Sequence, residues 1–322
     1  MVASPVFDRV RGSMSKPSIA CIAVDWGSSN RRAWALGPDG GILDQRADAL
    51  GLLAHADRRF ADSLAAFLDA WLAAAAGVPV IMAGMIGSRL GWVEVPYQPV
   101  PLPLTDLAKH LAKAGEIGRG SGCWIVPGLS QDDPVQPEVM RGEECQVLGA
   151  LLAGHAGSRL FLLPGTHSKW ARVGDGTLLS FRTYLTGELF DLLCKSGTLA
   201  QLMSGSGEDK GAFAKGVDAA KDAQLLNRVF SVRSLSLFNR LGGAAPRSYL
   251  SGLLVGTEIR DAMAVWPECR DSGVVCIGSA GMIGRYGSAA AQLGLKLQGF
   301  DNADILPGAL HWIGRQAGLL GS

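Results

Sequence analysis

Three short apolar runs in this chain each break off into a turn of glycine, serine and threonine, and no other feature constrains the fold as much. Residues 19–24 are almost continuously apolar and end in Asp25-Trp26-Gly27-Ser28-Ser29-Asn30. Residues 160–163 end in Pro164-Gly165-Thr166-His167-Ser168, and residues 274–277 run into Gly278-Ser279-Ala280-Gly281-Met282-Ile283-Gly284. A short apolar run without alternation is the pattern of a strand covered on both faces. Glycine in the following turn lets successive backbone N–H groups converge on an anion, and hydroxyl side chains add donors without bulk. Taken singly, each turn also reads as an ordinary tight turn, because Gly and Ser are its usual residues. Three of them in one chain, the first with a carboxylate at the strand end, point to a polyphosphate ligand. Asp25 is a charge that needs a reason in that place, and a hydrated Mg²⁺ beside the phosphates supplies one. The chain has no G-x-x-x-x-G-K-[ST] loop, and Gly278-x-x-Gly281-x-x-Gly284 lacks the dinucleotide fingerprint.

The second half of the chain echoes the first. Alternation over 31–36, a turn at Pro38-Asp39-Gly40-Gly41 and a third strand over 42–46 make an antiparallel meander, and the stretches 169–173 and 177–182 repeat it after the second turn. Between them, Phe60, Leu64, Phe67, Leu68 and Trp71 share one face of a helix expected from Asp57, which Gly77 and Pro79 end. Val80-Ile81-Met82 and 124–126 read as buried strands. The Gly- and Pro-rich stretch 84–107 reads as a long structured loop, and such loops are usually functional. Residues 127–137 are turn-rich and read as a hinge, after which Arg141-Gly142-Glu143-Glu144 opens a helix to about Leu152. The stretch from Thr186 to about Trp266 is mainly helical. Gly252 and Gly256 in its last helix leave room for a neighbouring backbone or a ligand. A terminal helix is expected from about Pro307.

Length and composition narrow the function. A chain of 322 residues is longer than one core usually grows, so two domains with a cleft between them are expected. The chain is 48% hydrophobic and 18% charged, as in a well-buried globular protein. Thirty basic against twenty-nine acidic residues, scattered rather than clustered, leave no field for a polyanion, so nucleic acid is not an expected partner. The six cysteines stand far apart with no C-x-x-C pair and read as reduced thiols. No run is long enough for a secretory signal or a membrane span, so the expected location is the cytoplasm. Residues 1–18 lack periodicity and read as a loose extension, with Met14 as an alternative start. A homodimer is left open.

Five segments together resemble the motifs of the 2-dehydro-3-deoxygalactonokinase family. They are Val24-Asp25-Trp26-Gly27-Ser28-Ser29-Asn30-Arg31, Gly84-Met85-Ile86-Gly87-Ser88-Arg89-Leu90-Gly91-Trp92, Arg141-Gly142-Glu143-Glu144, Pro164-Gly165-Thr166-His167-Ser168-Lys169-Trp170 and Thr186-Gly187-Glu188-Leu189-Phe190. The resemblance runs from about Ile19 to the C-terminal helix. It implies an α/β fold of the actin, hexokinase and Hsp70 type, in which two ribonuclease-H-like domains, mixed five-stranded sheets with flanking helices, hold ATP and substrate in the interdomain cleft. The expected N-terminal domain is 19–137 and the C-terminal domain 138–322, with the last helix free to pack back on the first domain. The implied reaction moves the γ-phosphoryl group of ATP to the 6-hydroxyl of 2-dehydro-3-deoxy-D-galactonate in galactonate catabolism.

The resemblance assigns roles residue by residue. Gly27, Ser28, Ser29 and Asn30 form the first phosphate turn, and Gly165, Thr166, His167 and Ser168 the second, with Lys169 flanking it. Gly278, Ser279 and Gly281, with the Gly252/Gly256 helix, hold the adenosine, and Asp25 holds Mg²⁺. The base that accepts the substrate proton is Glu144 or Glu143, with Glu144 favoured. Superfamily sugar kinases commonly carry an Asp at that place, and acidic residues in a first helical turn also simply complement the macrodipole. For the sugar acid's carboxylate the candidate clamp is Arg89, with Ser88 beside it, Trp92 on the sugar face and Glu94 on a hydroxyl. The alternatives are a kinase for another sugar or sugar acid, such as 2-dehydro-3-deoxygluconate, an exopolyphosphatase-like hydrolase, for which Gly142-Glu143-Glu144 speaks, and an ATP-binding scaffold.

Overall fold

A computed structural model describes residues 18–155, 160–203, 205–222 and 224–321; the extension expected over 1–18 lies outside them but for Ser18. Strands β1 (Cys21–Trp26), β2 (Arg31–Leu36) and β3 (Ile42–Asp48) form the antiparallel meander, and helix α1 (Phe60–Ala74) leads to β4 (Val80–Gly84), parallel to β1. The long loop carries two short strands, β5 (Gln98–Pro99) and β6 (Leu102–Pro103), before the hairpin β7 (Ala112–Ile117) and β8 (Ser121–Ile125). Helix α1 starts at Phe60 and not at Asp57, because Arg58 takes a left-handed backbone, φ 57°.

The stretch expected as a hinge pairs β9 (Leu129–Gln131) with β10 (Glu138–Met140) in a small sheet with β5. Helix α2 (Glu143–Leu152) follows, then the second meander β11 (Leu160–Leu163), β12 (Ser168–Gly174) and β13 (Thr177–Tyr184). Helices α3 (Thr186–Lys195), α4 (Gly197–Ala200), α5 (Lys210–Ala219), α6 (Leu225–Leu237), α7 (Ala245–Val265) and α8 (Cys269–Ser272) precede β14 (Val274–Gly278). Helix α9 (Ala280–Gln292), β15 (Leu297–Asp301) and α10 (Asn302–Gln316) complete the chain.

The first sheet is ordered β3-β2-β1-β4-β8-β7 and the second β15-β14-β11-β12-β13-β6. Without the outermost β7 and β6, both sheets have the same five-strand plan: an antiparallel meander whose first strand is continued by two parallel strands. This is the ribonuclease-H-like order, built twice. Strands β7 and β15 carry no apolar run, since most of their side chains are exposed or half-buried at a sheet edge, and the sequence does not announce them. Helix α10 begins at Asn302, where Asp301 caps it by accepting the Ala303 N–H; Pro307 falls inside it.

The core explains how the two sheets are joined. Ala23 and Ile81 of the first sheet, Phe161, Leu163 and Val275 of the second, and Leu148, Leu306 and Leu310 of α2 and α10 belong to one buried cluster. Helices α2 and α10 thus lie between the sheets, with α10 against β1 and β4. Phe60, Leu64 and Leu68 of α1 cover the other face of the first sheet, and Ile259, Met263 and Tyr286 that of the second. Every fully buried aliphatic or aromatic side chain contributes about 1.5–3 kcal/mol. Strands β1 and β11, apolar on both faces, therefore sit at the centres of their sheets, and their terminal turns are left at the edge of the cleft. Among the described residues no helix is long and apolar enough to cross a membrane.

Candidate active site

The first turn joins β1 to β2. Gly27 N–H donates to Asn30 O at 3.0 Å, and the backbone N–H groups of Gly51, Leu52 and Leu53 donate to Ser29, Gly27 and Ser28, which braces the turn from behind. Ser28, Ser29 and Asn30 are exposed. Asp25 is not an uncompensated charge, as the sequence suggests: its Oδ2 accepts from Arg32 Nη2 at 2.6 Å. Its Oδ1 has no partner among the described residues. Gly84 adjoins it, for a Cβ there would stand 3.4 Å from Asp25 Oδ1 and 2.8 Å from Trp26 O.

The second turn joins β11 to β12. Thr166 and His167 are exposed, and His167 Nε2 pairs with Glu188 of α3. A Cβ at Gly187 would stand 2.2 Å from Gly165 O, so only glycine lets the start of α3 press against this turn, where Glu188 N–H donates to Thr166 O. Two expectations for this turn need correction. Ser168 is fully buried, and its Oγ meets the Tyr286 hydroxyl at 3.0 Å instead of facing a phosphate. Lys169 is buried too: its Nζ donates to Val139 O and Thr183 Oγ1, both at 2.8 Å, which commits it to the small sheet and the glutamates nearby. Alternation along β12 turns Ser168 and Lys169 to opposite faces, a consequence of pleating that the motif alone conceals.

Beneath this turn lies a carboxylate that no motif announces. Glu258 of α7 accepts from Trp170 Nε1 at 2.8 Å and from the Tyr286 hydroxyl at 2.7 Å. Burial raises its pKa while these hydrogen bonds oppose the rise. The network ties β12, α7 and α9 together behind the second turn.

The third turn leads from β14 into α9. Ser279 and Gly281 are exposed, and Ser279 shares a cleft of about 680 Å³ with Pro164, Thr166, His167 and Arg285. A neighbouring cavity of about 450 Å³ is lined by Gly281, Arg285, Arg247, Ser248, Ser251 and Phe190. A smaller one, about 280 Å³, brings Arg32 beside the first turn together with Pro164, Gly278 and Ser279. The second and third turns therefore open on one region, and Arg32, the ion-pair partner of Asp25, reaches its edge. Gly252 and Gly256 do not: Cβ atoms there would stand 2.0 Å from Phe213 O and 3.0 Å from Val217 Cα, so both glycines serve the crossing of α5 over α7. Of the two approaches the sequence allows, neighbouring backbone is the one realised, and Ser248 and Ser251 take the cavity side. Arg247, with its guanidinium 5.2 Å from the Phe190 ring, and Arg285, paired with Glu208 at 2.9 Å, have no sequence signal beyond their type.

The two glutamates differ sharply. Gly142, φ 108°, caps α2 and lies against Gly84, which carries the start of α2 to the Asp25 strand end. Glu144 is fully buried and both its oxygens accept the Gly142 N–H at 2.8 Å. Burial and the neighbouring Glu143 push its pKa up to about 7. Glu143 is half-buried, and its Oε2 accepts Arg141 N–H at 2.9 Å. Burial raises its pKa and Asp25 adds to the rise, while Lys169 opposes it. Glu143 thus has the access that Glu144, the residue favoured on sequence, lacks.

In the loop expected to bind substrate, Arg89 and Glu94 are exposed and without a partner among the described residues. Trp92 packs beside β7, where a Cβ at Gly115 would stand 3.2 Å from Cζ2. Ser88 Oγ is buried and has no partner among the described residues. The arrangement as a whole can hold a polyphosphate between two turns with a half-buried carboxylate near its end. Among the described residues no three His, Cys, Asp or Glu gather as a metal cage. Mg²⁺ needs none, since it is usually held by one or two carboxylates with phosphate oxygens and water, and Asp25 Oδ1 fits that mode.

Residues 25–313 match the family described as 2-keto-3-deoxy-galactonokinase. A "probable 2-dehydro-3-deoxygalactonokinase" of Rhizobium meliloti (strain 1021) is 37% identical over 87% of this chain and 91% of its own length. The 2-dehydro-3-deoxygalactonokinase of Escherichia coli (strain K12) is 32% identical over 85% of this chain and 90% of its own. A crystal structure from Sinorhizobium meliloti described under the same activity superposes with a TM-score of 0.85 at 36% identity, covering 92% of this chain and 98% of that one. Component A of the Acidaminococcus fermentans (R)-2-hydroxyglutaryl-CoA dehydratase, at 13% identity and a TM-score of 0.50, covering 93% of this chain and 100% of that one, shares the fold alone.

Proposed function

Because the chain belongs to the 2-keto-3-deoxy-galactonokinase family, we propose that it transfers the γ-phosphoryl group of ATP to the 6-hydroxyl of 2-dehydro-3-deoxy-D-galactonate, giving the 6-phosphate and ADP, in the breakdown of galactonate. The observation that carries this reading is Glu143 beside the Asp25 strand end, with Arg32, the ion-pair partner of Asp25, lining one cavity with Pro164 of the second turn and Ser279 of the third.

ATP lies across the cleft, its phosphates held by backbone N–H groups of 28–30 and 165–167 and by the Thr166 hydroxyl. Its adenosine enters the cavity between Arg247, Ser251 and Arg285. Asp25 Oδ1 would hold Mg²⁺, which would supply charge neutralisation for the phosphates. Glu143 takes the proton of the 6-hydroxyl as its oxygen bonds to the γ-phosphorus and the bond to the ADP oxygen breaks. A carboxylate with a raised pKa is the better acceptor near neutral pH. Glu144, closed over the Gly142 N–H, holds the start of α2 so that Glu143 stays aimed, and Lys169 offsets the negative charge the two glutamates bring.

The test is ADP release with 2-dehydro-3-deoxygalactonate, 2-dehydro-3-deoxygluconate, a neutral hexose and water as acceptors. Release that depends on the galactonate derivative supports the reading; equal release without any acceptor makes the protein a phosphohydrolase.

A further inference from the structure

Arg141 is more than nine-tenths buried, yet its Nε and Nη1 have no hydrogen-bond partner among the described residues. The side chain is held firmly: Nη2 donates to Val95 O at 2.7 Å, and the guanidinium carbon lies 4.3 Å from the centroid of the Tyr97 ring. A guanidinium presents five N–H donors in a planar fork and keeps its charge. Val95 takes one hydrogen of Nη2, so one edge of the fork, Nη2 with either Nε or Nη1, keeps both of its donors free. Buried donors of a cation are costly to leave unmade. No carboxylate lies within ion-pair distance of Arg141 among the described residues, and nearby Glu144 is engaged by the Gly142 N–H.

A third such atom belongs to the residue that follows Gly87, which packs against the guanidinium. Ser88 Oγ is buried without a partner among the described residues, and Gly87 links it to the guanidinium: a Cβ on Gly87 would stand 2.9 Å from Arg141 Nη1 and 2.7 Å from Ile125 Cγ2. Arg141 directly precedes Gly142, which lies against Gly84 beside Asp25, so these donors border the region of phosphoryl transfer. Exposed Arg89, by contrast, has water for every donor and shows no unmet need.

We propose that Arg141, with Ser88, recognises the C1 carboxylate of the sugar acid and so sets the enzyme's preference for acids over neutral sugars. The inference rests on the kinase reading above. The carboxylate of a six-carbon chain lies at the end opposite its 6-hydroxyl, which separates the clamp from the base while keeping both on the short segment from Arg141 to Glu143.

The experiment compares kcat/KM for 2-dehydro-3-deoxygalactonate with that for its C1 amide, which keeps every hydroxyl and loses the charge. Wild type is expected to favour the acid by about 100-fold or more, since a site with unpaired buried donors rejects ligands that leave them unmet. Arg141→Gln raises KM for the acid about 100-fold and leaves the amide within about threefold, so the preference collapses. Arg141→Lys, which keeps charge without the fork, recovers only part of it. Binding of a nonhydrolysable ATP analogue checks that each variant is folded. If Arg141→Gln does not fold, Ser88→Ala decides, because it removes a hydroxyl that holds nothing: KM for the acid rises about 3- to 10-fold and the amide is unaffected. An undiminished preference for the acid in Arg141→Gln, or in Ser88→Ala where that variant decides, overturns the proposal. Absence of acid-dependent ADP release from wild type would instead remove the kinase reading on which it stands.

Discussion

Arg32 Nη2 holds Asp25 Oδ2 at 2.6 Å, and the two residues are direct cross-strand partners in the β1–β2 ladder. The pair ties down Oδ2 of Asp25 and leaves Oδ1 without a partner among the described residues. Opposite charges directly across a ladder support each other, by about 0.2–1 kcal/mol at ordinary sites.

Asp25→Asn removes the charge while keeping the shape. Turnover should fall by about 100-fold or more, and the Mg²⁺ concentration for half-maximal rate should rise, since the ion loses its protein anchor. Titration of the rate with Mg²⁺ at saturating ATP checks this; an unchanged Mg²⁺ dependence would place the ion elsewhere.

Glu143→Gln should lower the rate of transfer by about 100- to 10,000-fold with ATP affinity retained, as loss of a general base does. Glu144→Gln should retain far more activity. Single-turnover transfer and calorimetric ATP binding separate the two variants, and the opposite ranking would restore Glu144 as the base.

Glu144 also predicts a pH effect on stability. Its folded pKa of about 7 lies above the ordinary carboxylate value of 4.5, so the folded protein binds the proton more tightly than the unfolded chain. Its contribution is fully present below pH 4.5 and is lost as pH rises through about 7. Glu144→Gln, neutral throughout, should flatten that decline and raise Tm at pH 8 by a few degrees, on the order expected for one or two kcal/mol. Thermal melts of both proteins at pH 5 and pH 8 measure it.

Gly187→Ala puts a methyl 2.2 Å from Gly165 O and must push α3 off the second turn. KM for ATP should rise about tenfold or more, with stability reduced by about 1–3 kcal/mol. Gly252→Ala, whose methyl would meet Phe213 O at 2.0 Å, should cost comparable stability with a smaller effect on ATP affinity in the folded fraction. Denaturant melts together with ATP titrations distinguish the two.

Much of this fold is legible in the sequence because burial on both faces leaves no choice of residue. The runs 19–24, 160–163 and 274–277 had to be central strands, and the turns that follow them had to be glycine- and hydroxyl-rich to bend tightly at a strand end. What stays hidden are elements defined by an edge or a partner: β7 and β15, whose mostly exposed or half-buried side chains follow no pattern, and α10, which begins at a cap before its proline. The roles of Ser168, Lys169, Gly252 and Gly256 depend on which way each residue faces. That is fixed by pleating and helix crossing after the chain has packed. Glu143 and Glu144 are equal as letters, and only the α2 cap, closing over one carboxylate and exposing the other, makes them different. Local chemistry and strand burial were thus written in the residues. The choice among like residues came from the tertiary structure, because burial, partners and reach exist only once distant segments meet.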